Sequence, residues 1–157
     1  MQTVSMRMPA YFKQLLYAVL SLSWFTGITF FIFSNWITVN GDFGPEKHPL
    51  QFSFLQLHGA AAFVLMPMMG AIIFNHIPIT WRTKRSRKIG IILLVLLLAQ
   101  LVSAWLLYYL AHEVARQWAT YIHLAIGLSL PVFIAAHVLL GRRRAVKQIR
   151  SSLITDL

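Results

Sequence analysis

The sequence contains no cysteine. Disulfides, thiolate-bound zinc, iron–sulfur clusters and covalent haem attachment through CxxCH are therefore excluded, and histidine is the one strong metal ligand left, present six times. Acidic residues are nearly as scarce: Asp42, Glu46, Glu113 and Asp156 are the four, and none lies in an apolar run. A carboxylate relay across a membrane is not expected from such a chain. No glycine-rich phosphate loop, HExxH motif or nucleophile–base–acid set occurs. Charged residues amount to 11% of the chain, far below the roughly 25% of a soluble domain.

What the chain has instead is hydrophobicity, at 58% of 157 residues, with a mean hydropathy of +0.66. Four apolar runs stand out, at about 11–36, 52–74, 89–110 and 119–140. Each has about 20 residues or more, enough to cross a bilayer as a helix. The expected fold is all-α: an integral membrane four-helix bundle, forming one transmembrane domain over 1–157. The first run is read as a retained span rather than a signal peptide, because 15–33 exceeds a usual h-region and ends in SNW instead of a small-x-small site.

The net charge of +10 does not point to nucleic acid. The cations sit in short segments between apolar runs, where topology accounts for them. Arg7 and Lys13 precede the first run. Arg82, Lys84, Arg85, Arg87 and Lys88 lie between the second and third, and Arg142, Arg143, Arg144, Lys147 and Arg150 follow the fourth. Only Lys47 and Arg116 fall on the other side, so both termini are expected in the cytoplasm, with 35–51 and 112–118 facing out. The segment NGDFGPEKHP is rich in turn residues and is expected to be irregular. The tail 141–157 is expected to lie along anionic headgroups, if it does more than fix topology.

The histidines carry the chemical signal. His123 and His137 are fourteen residues apart in one apolar run, nearly on one helical face and about 21 Å apart along the axis. An imidazole is costly in hydrocarbon, so such residues point to function. His58 and His76 occupy the second run, eighteen residues apart, which returns to the same face after about 27 Å. The two runs cross in the same direction. Each opens with a histidine, has a proline eight or nine residues on (Pro67, Pro131) and closes with a histidine, a hint of a parallel repeat of two hairpins. Paired at matched depth, His58 with His123 and His76 with His137 would form two sites. Two facing imidazoles are what a flat iron macrocycle needs as axial ligands. The 6 Å difference in rise leaves the inner pair open: either a bend absorbs it, or His76 is an interfacial residue. His112 is an alternative outer ligand or a snorkelling residue, and His48 a loop residue.

Gly59, Gly70 and Gly127 share these runs and would admit a flat ring or serve close helix packing. Met66, Met68 and Met69 fit packing better than ligation. His112, Glu113 and Arg116 would bind a quinone headgroup or a partner, or form a solvated loop.

His123, Pro131 and His137 in one span, with partner histidines in another, resemble the small four-helix b-type cytochromes of bacterial respiratory membranes, of the cytochrome b, cytochrome b561 and DUF4405-type groups. The resemblance covers 11–141. In the family's usual spacing the second ligand of the second span would stand near Ile72, where this chain has His76. The resemblance implies one or two b haems held by His58, His123, His137 and His76 in the bacterial cytoplasmic membrane. It also implies electron transfer between the quinone pool and a periplasmic or membrane redox protein, as a subunit of an oxidoreductase rather than a complete enzyme. Two readings of other classes stand beside it: a non-redox scaffold or assembly subunit, and a histidine-based copper handler.

Overall fold

A computed structural model of the chain describes residues 8–82 and 87–155. It is mostly helical and divides into two compact units, Met1–Ile79 and Thr80–Leu157, each built on a helical hairpin. Four of its helices are long and apolar enough to cross a membrane: Ala10–Asn35, Leu50–Trp81, Arg87–Tyr109 and Glu113–Arg143. The expectation of four apolar helices therefore holds.

In the first unit, α1 runs from Ala10 to Asn35 after Pro9, whose extended backbone cannot continue a helix backwards. Asn35 Nδ2 donates to the Phe31 carbonyl at 2.8 Å and satisfies one of the terminal acceptors. The chain then forms a β-hairpin, β1 Thr38–Gly41 against β2 Gly44–Lys47, antiparallel in the register Thr38↔Lys47 to Gly41↔Gly44. This corrects the expectation of an irregular segment. The chain reverses at the two-residue loop Asp42-Phe43 between its flanking glycines, while Thr38 and Val39 favour strand. Gly44 has φ of +123°, which an L side chain adopts only with strain. Pro45 is tolerated because both strands of a two-stranded ribbon are edges.

The second long helix starts as α2, Leu50–Ala71, after Pro49. His48 caps it: its Nδ1 accepts the Leu50 N–H at 3.1 Å and its carbonyl accepts the Gln51 N–H. After Ala71 the helix widens into a π turn, Ile72–His76, and continues as α3, Ile77–Arg82. The turn is marked by the Ile77 N–H bonding to the Ile72 carbonyl, five residues back. Pro78 supplies a cause, since it has no N–H and its ring crowds the carbonyl four residues earlier. Asn75 Nδ2 reaches back to the Ala71 carbonyl at 2.9 Å and occupies an acceptor within the widened stretch.

In the second unit, α4 spans Arg87–Tyr109 and α5 spans Glu113–Thr155. Arg87 Nε donates to the Trp81 carbonyl at 3.0 Å, with the guanidinium over the Trp81 ring. His112 caps α5 as His48 caps α2: its Nδ1 accepts the Ala115 N–H at 3.4 Å and its carbonyl the Arg116 N–H at 2.9 Å. The backbone remains helical beyond the apolar part, so most of the expected tail is the end of α5 itself.

The residues buried among those described are mostly small: Thr26 and Ala61 with Met68 in the first unit, Ser103 and Ala119 with Leu130 in the second. Small residues let helix backbones approach where lipid gives no hydrophobic drive. Large apolar side chains are turned outward instead, as with Phe63 at 73% and Val132 at 70% exposure. An inside-out distribution of this kind suits a hydrocarbon solvent.

Candidate functional site

His58 stands two turns into α2, half-buried against α1. Its Nδ1 lies 2.8 Å from the Ser23 carbonyl oxygen, with Ser23 Oγ at 3.5 Å. A carbonyl only accepts, so Nδ1 must carry the proton, and the neutral ring keeps its lone pair on Nε2. In the same turn Thr26 Oγ1 donates to the Leu22 carbonyl at 2.6 Å and lies 3.2 Å from the Ser23 carbonyl. The ring rests on the α1 backbone at Gly27. A Cβ there would stand 2.8 Å from His58 Cε1 and 2.9 Å from Nδ1.

His123 stands in α5 facing α4, also half-buried. Two α4 side chains meet its ring: Ser103 Oγ is 2.9 Å from Nδ1, and Gln100 Nε2 is 3.0 Å from His123 Nε2. The Ser103 hydroxyl donates its single proton to the Gln100 carbonyl at 3.0 Å. It must therefore accept from His123 Nδ1–H, and His123 Nε2 accepts from the Gln100 amide. One proton assignment satisfies all three contacts, and it gives the tautomer found at His58. Gln100 lies against Gly127, one turn beyond His123, where a Cβ would come within 3.1 Å of the amide nitrogen.

His137 lies toward the far end of the apolar part of α5, half-buried, with Gly90 of α4 beside it: a Cβ there would be 3.4 Å from His137 Cε1. His76 is the last residue of the π turn. That placement changes its face. A π turn holds one residue more than an α turn, so His76 lags by about 100° behind the His58 stripe, and the rise shortens by roughly 1.5 Å. The five whole turns expected between them do not occur. The 6 Å mismatch in rise narrows, but alignment on one face is lost.

The sequence pattern missed Ser23, Gly27, Gly90, Gln100 and Ser103. Their signal was there: Gln100 and Ser103 interrupt the apolar run 89–110, and their spacing of three puts them on one face. His48, expected as a loop residue, and His112, expected as an alternative outer ligand or a snorkelling residue, are helix caps with Nδ1 as acceptor. This is the opposite tautomer to that of His58 and His123. The two hairpins thus share an order: a capping histidine, then ten or eleven residues on a histidine whose Nδ1 is tied to the preceding helix.

Nδ1–H bonded to a protein oxygen, with Nε2 bearing the lone pair, is the arrangement that orients a metal-ligating imidazole and raises its basicity. Among the described residues no three His, Asp or Glu side chains gather around a point where an ion could sit. A group that brings its own equatorial donors needs only axial imidazoles from the protein, not a cluster of three ligands. The residues fit an axial role toward haem in this sense. Comparison with known proteins finds no matching family model, no matching curated protein and no matching solved structure.

Proposed function

We propose that the chain is a b-type cytochrome subunit of a bacterial cytoplasmic membrane, with His58 and His123 as axial ligands of one haem and His137, with or without His76, serving a second. The observation that carries this reading is the shared tautomer: His58 and His123 each give Nδ1–H to an oxygen on the preceding helix and hold their lone pair on Nε2. Bound haem would supply one-electron chemistry at iron. The chain's own contribution is to fix the rings: the Ser23 carbonyl and Ser103 hydroxyl set their tautomer, and the Gly27 backbone closes on one face of His58.

The rotation of His76 off the His58 stripe favours the outer site over the inner one. Under this reading both termini lie in the cytoplasm, a reading supported by the positive charge of the loops on that side. Electrons would pass between a quinone and a periplasmic or membrane redox protein. A cleft in the first unit, lined by Phe30, Lys47, His48, Gln51, Phe52 and Leu55, combines donors with aromatic walls of the kind a quinone headgroup takes.

A second reading has its own observation. The bonds of His58 and His123 are made between the two helices of a hairpin, as in a scaffold whose histidines serve only packing. One experiment separates the two. A reduced-minus-oxidised spectrum with haem quantification on purified protein should show a Soret band and a reducible α band. The contribution of the His58/His123 haem to both bands should be lost in His58→Ala and in His123→Ala, leaving only that of any second haem. A colourless, iron-free preparation from haem-replete cells would sink the cytochrome reading and leave the scaffold. Bound copper in that preparation would point to the metal handler instead.

A further inference from the structure

Gln100 is placed in an apolar helix, yet it spends its amide on His123 Nε2, the atom the cytochrome reading reserves for iron. The contact is only half satisfied. Gln100 Oε1 is buried and finds no hydrogen-bond partner among the described residues. A carboxamide with one arm bonded and the other orphaned is held weakly, because the orphaned acceptor carries a desolvation cost that offsets the bond made by its neighbour. Moving it out of the way is correspondingly easy. Gly127 lies against the amide nitrogen, where a Cβ would come within 3.1 Å, and offers no side chain to hold it.

We propose that Gln100 is a displaceable latch on His123: its amide occupies Nε2 in the cofactor-free protein, keeps the ring in the Nδ1–H tautomer together with Ser103, and swings aside when a metal takes the lone pair. The inference deepens the haem reading and rests on it for the identity of what displaces the amide. Ser103 and Gln100 then have separate roles on one ring. Ser103 holds the far nitrogen and stays in place after loading, since its acceptor role does not involve Nε2. Gln100 guards the near nitrogen and leaves.

The test uses full-length protein purified without haem in detergent micelles, as wild type, Gln100→Leu and Gln100→Asn. The leucine removes the amide at nearly constant volume; the asparagine keeps it but shortens its reach by one methylene. Two rates are read: carbethoxylation of each histidine by diethyl pyrocarbonate, mapped by peptide mass spectrometry, and growth of the Soret band on adding hemin. Loss of one hydrogen bond predicts His123 carbethoxylation about fivefold to tenfold faster in both variants, with His58 unchanged as the internal reference. Hemin uptake should accelerate by a similar factor while haem loss to a scavenger stays the same. A merely structural glutamine would instead alter both histidines or speed haem loss. Unchanged or slower carbethoxylation of His123 in both variants overturns the latch. If wild type takes up no hemin, the cytochrome reading fails by itself, and the carbethoxylation rates still decide whether Gln100 guards Nε2.

Discussion

Replacing Gly27 by alanine is the sharpest perturbation of the His58 setting. The new methyl would stand 2.8 Å from Cε1 and 2.9 Å from Nδ1, so the ring must retreat by about 0.6 Å to reach ordinary contact at 3.4 Å. A retreat of that size acts on a 2.8 Å bond to the Ser23 carbonyl and carries it toward the limit at which a hydrogen bond ceases to count. The cost of leaving Nδ1–H poorly satisfied inside the hairpin is about 1–3 kcal/mol. Alanine returns up to about 1 kcal/mol through helix propensity, which leaves a net loss of roughly 1–2 kcal/mol. In a chain of this size that corresponds to a fall in thermal midpoint of roughly 2–8 °C. Loss of the contact that orients a ligand also lowers metal affinity by about 10–100-fold. The control is Gly70→Ala in the same hairpin, where a Cβ meets nothing within 4 Å; it should keep or slightly raise the midpoint. Both variants would be followed in detergent by thermal unfolding and by Soret absorbance per mole of protein. A Gly27→Ala protein that matches wild type in midpoint and haem content would refute the claim that the α1 backbone at Gly27 positions His58.

Other expectations follow from the same contacts. Ser103→Ala removes the acceptor of His123 Nδ1–H, so it should destabilise the second hairpin by about 1–3 kcal/mol in unfolding assays and lower haem content without abolishing it. His48→Ala and His112→Ala remove helix caps and should each cost about 0.5–2 kcal/mol in thermal unfolding while leaving the Soret band per folded protein unchanged, in contrast to His58→Ala. Phe43 is 100% exposed at the tip of the β-hairpin, so Phe43→Ser should shift the thermal midpoint by less than about 0.5 kcal/mol equivalent.

The four long helices were legible because each apolar run is long and unbroken by charge, a signal that survives any error at its ends. The hairpins' inner contacts were less so. Gln100 and Ser103 look like scattered polar residues until α4 is laid against α5; no period within one helix says which histidine they meet. The β-hairpin was concealed by its own turn residues, since glycine, aspartate and proline mark both loops and tight hairpins, and four-residue strands offer little alternation to count. His76 was misplaced because counting by 3.6 assumes an unbroken α-helix. The π turn depends on Pro78, two residues beyond the histidine it displaces. The roles of His48 and His112 turned on which nitrogen accepts, and that is fixed only by the folded backbone beside each ring.

The π turn has a consequence for how this helix tolerates change in length. A stretch that already holds one surplus residue can lose it by tightening to α, and the helix before Ile72 would not be disturbed. Deletion of a single residue from 72–76 is therefore the mildest length change open to the second span, whereas the same deletion near Ala61 would turn every later side chain by about 100°. The widened turn works as an expansion joint between two stretches of fixed phase. Mutational drift in the segment after it can shift the helix end by one residue without touching the face that meets α1.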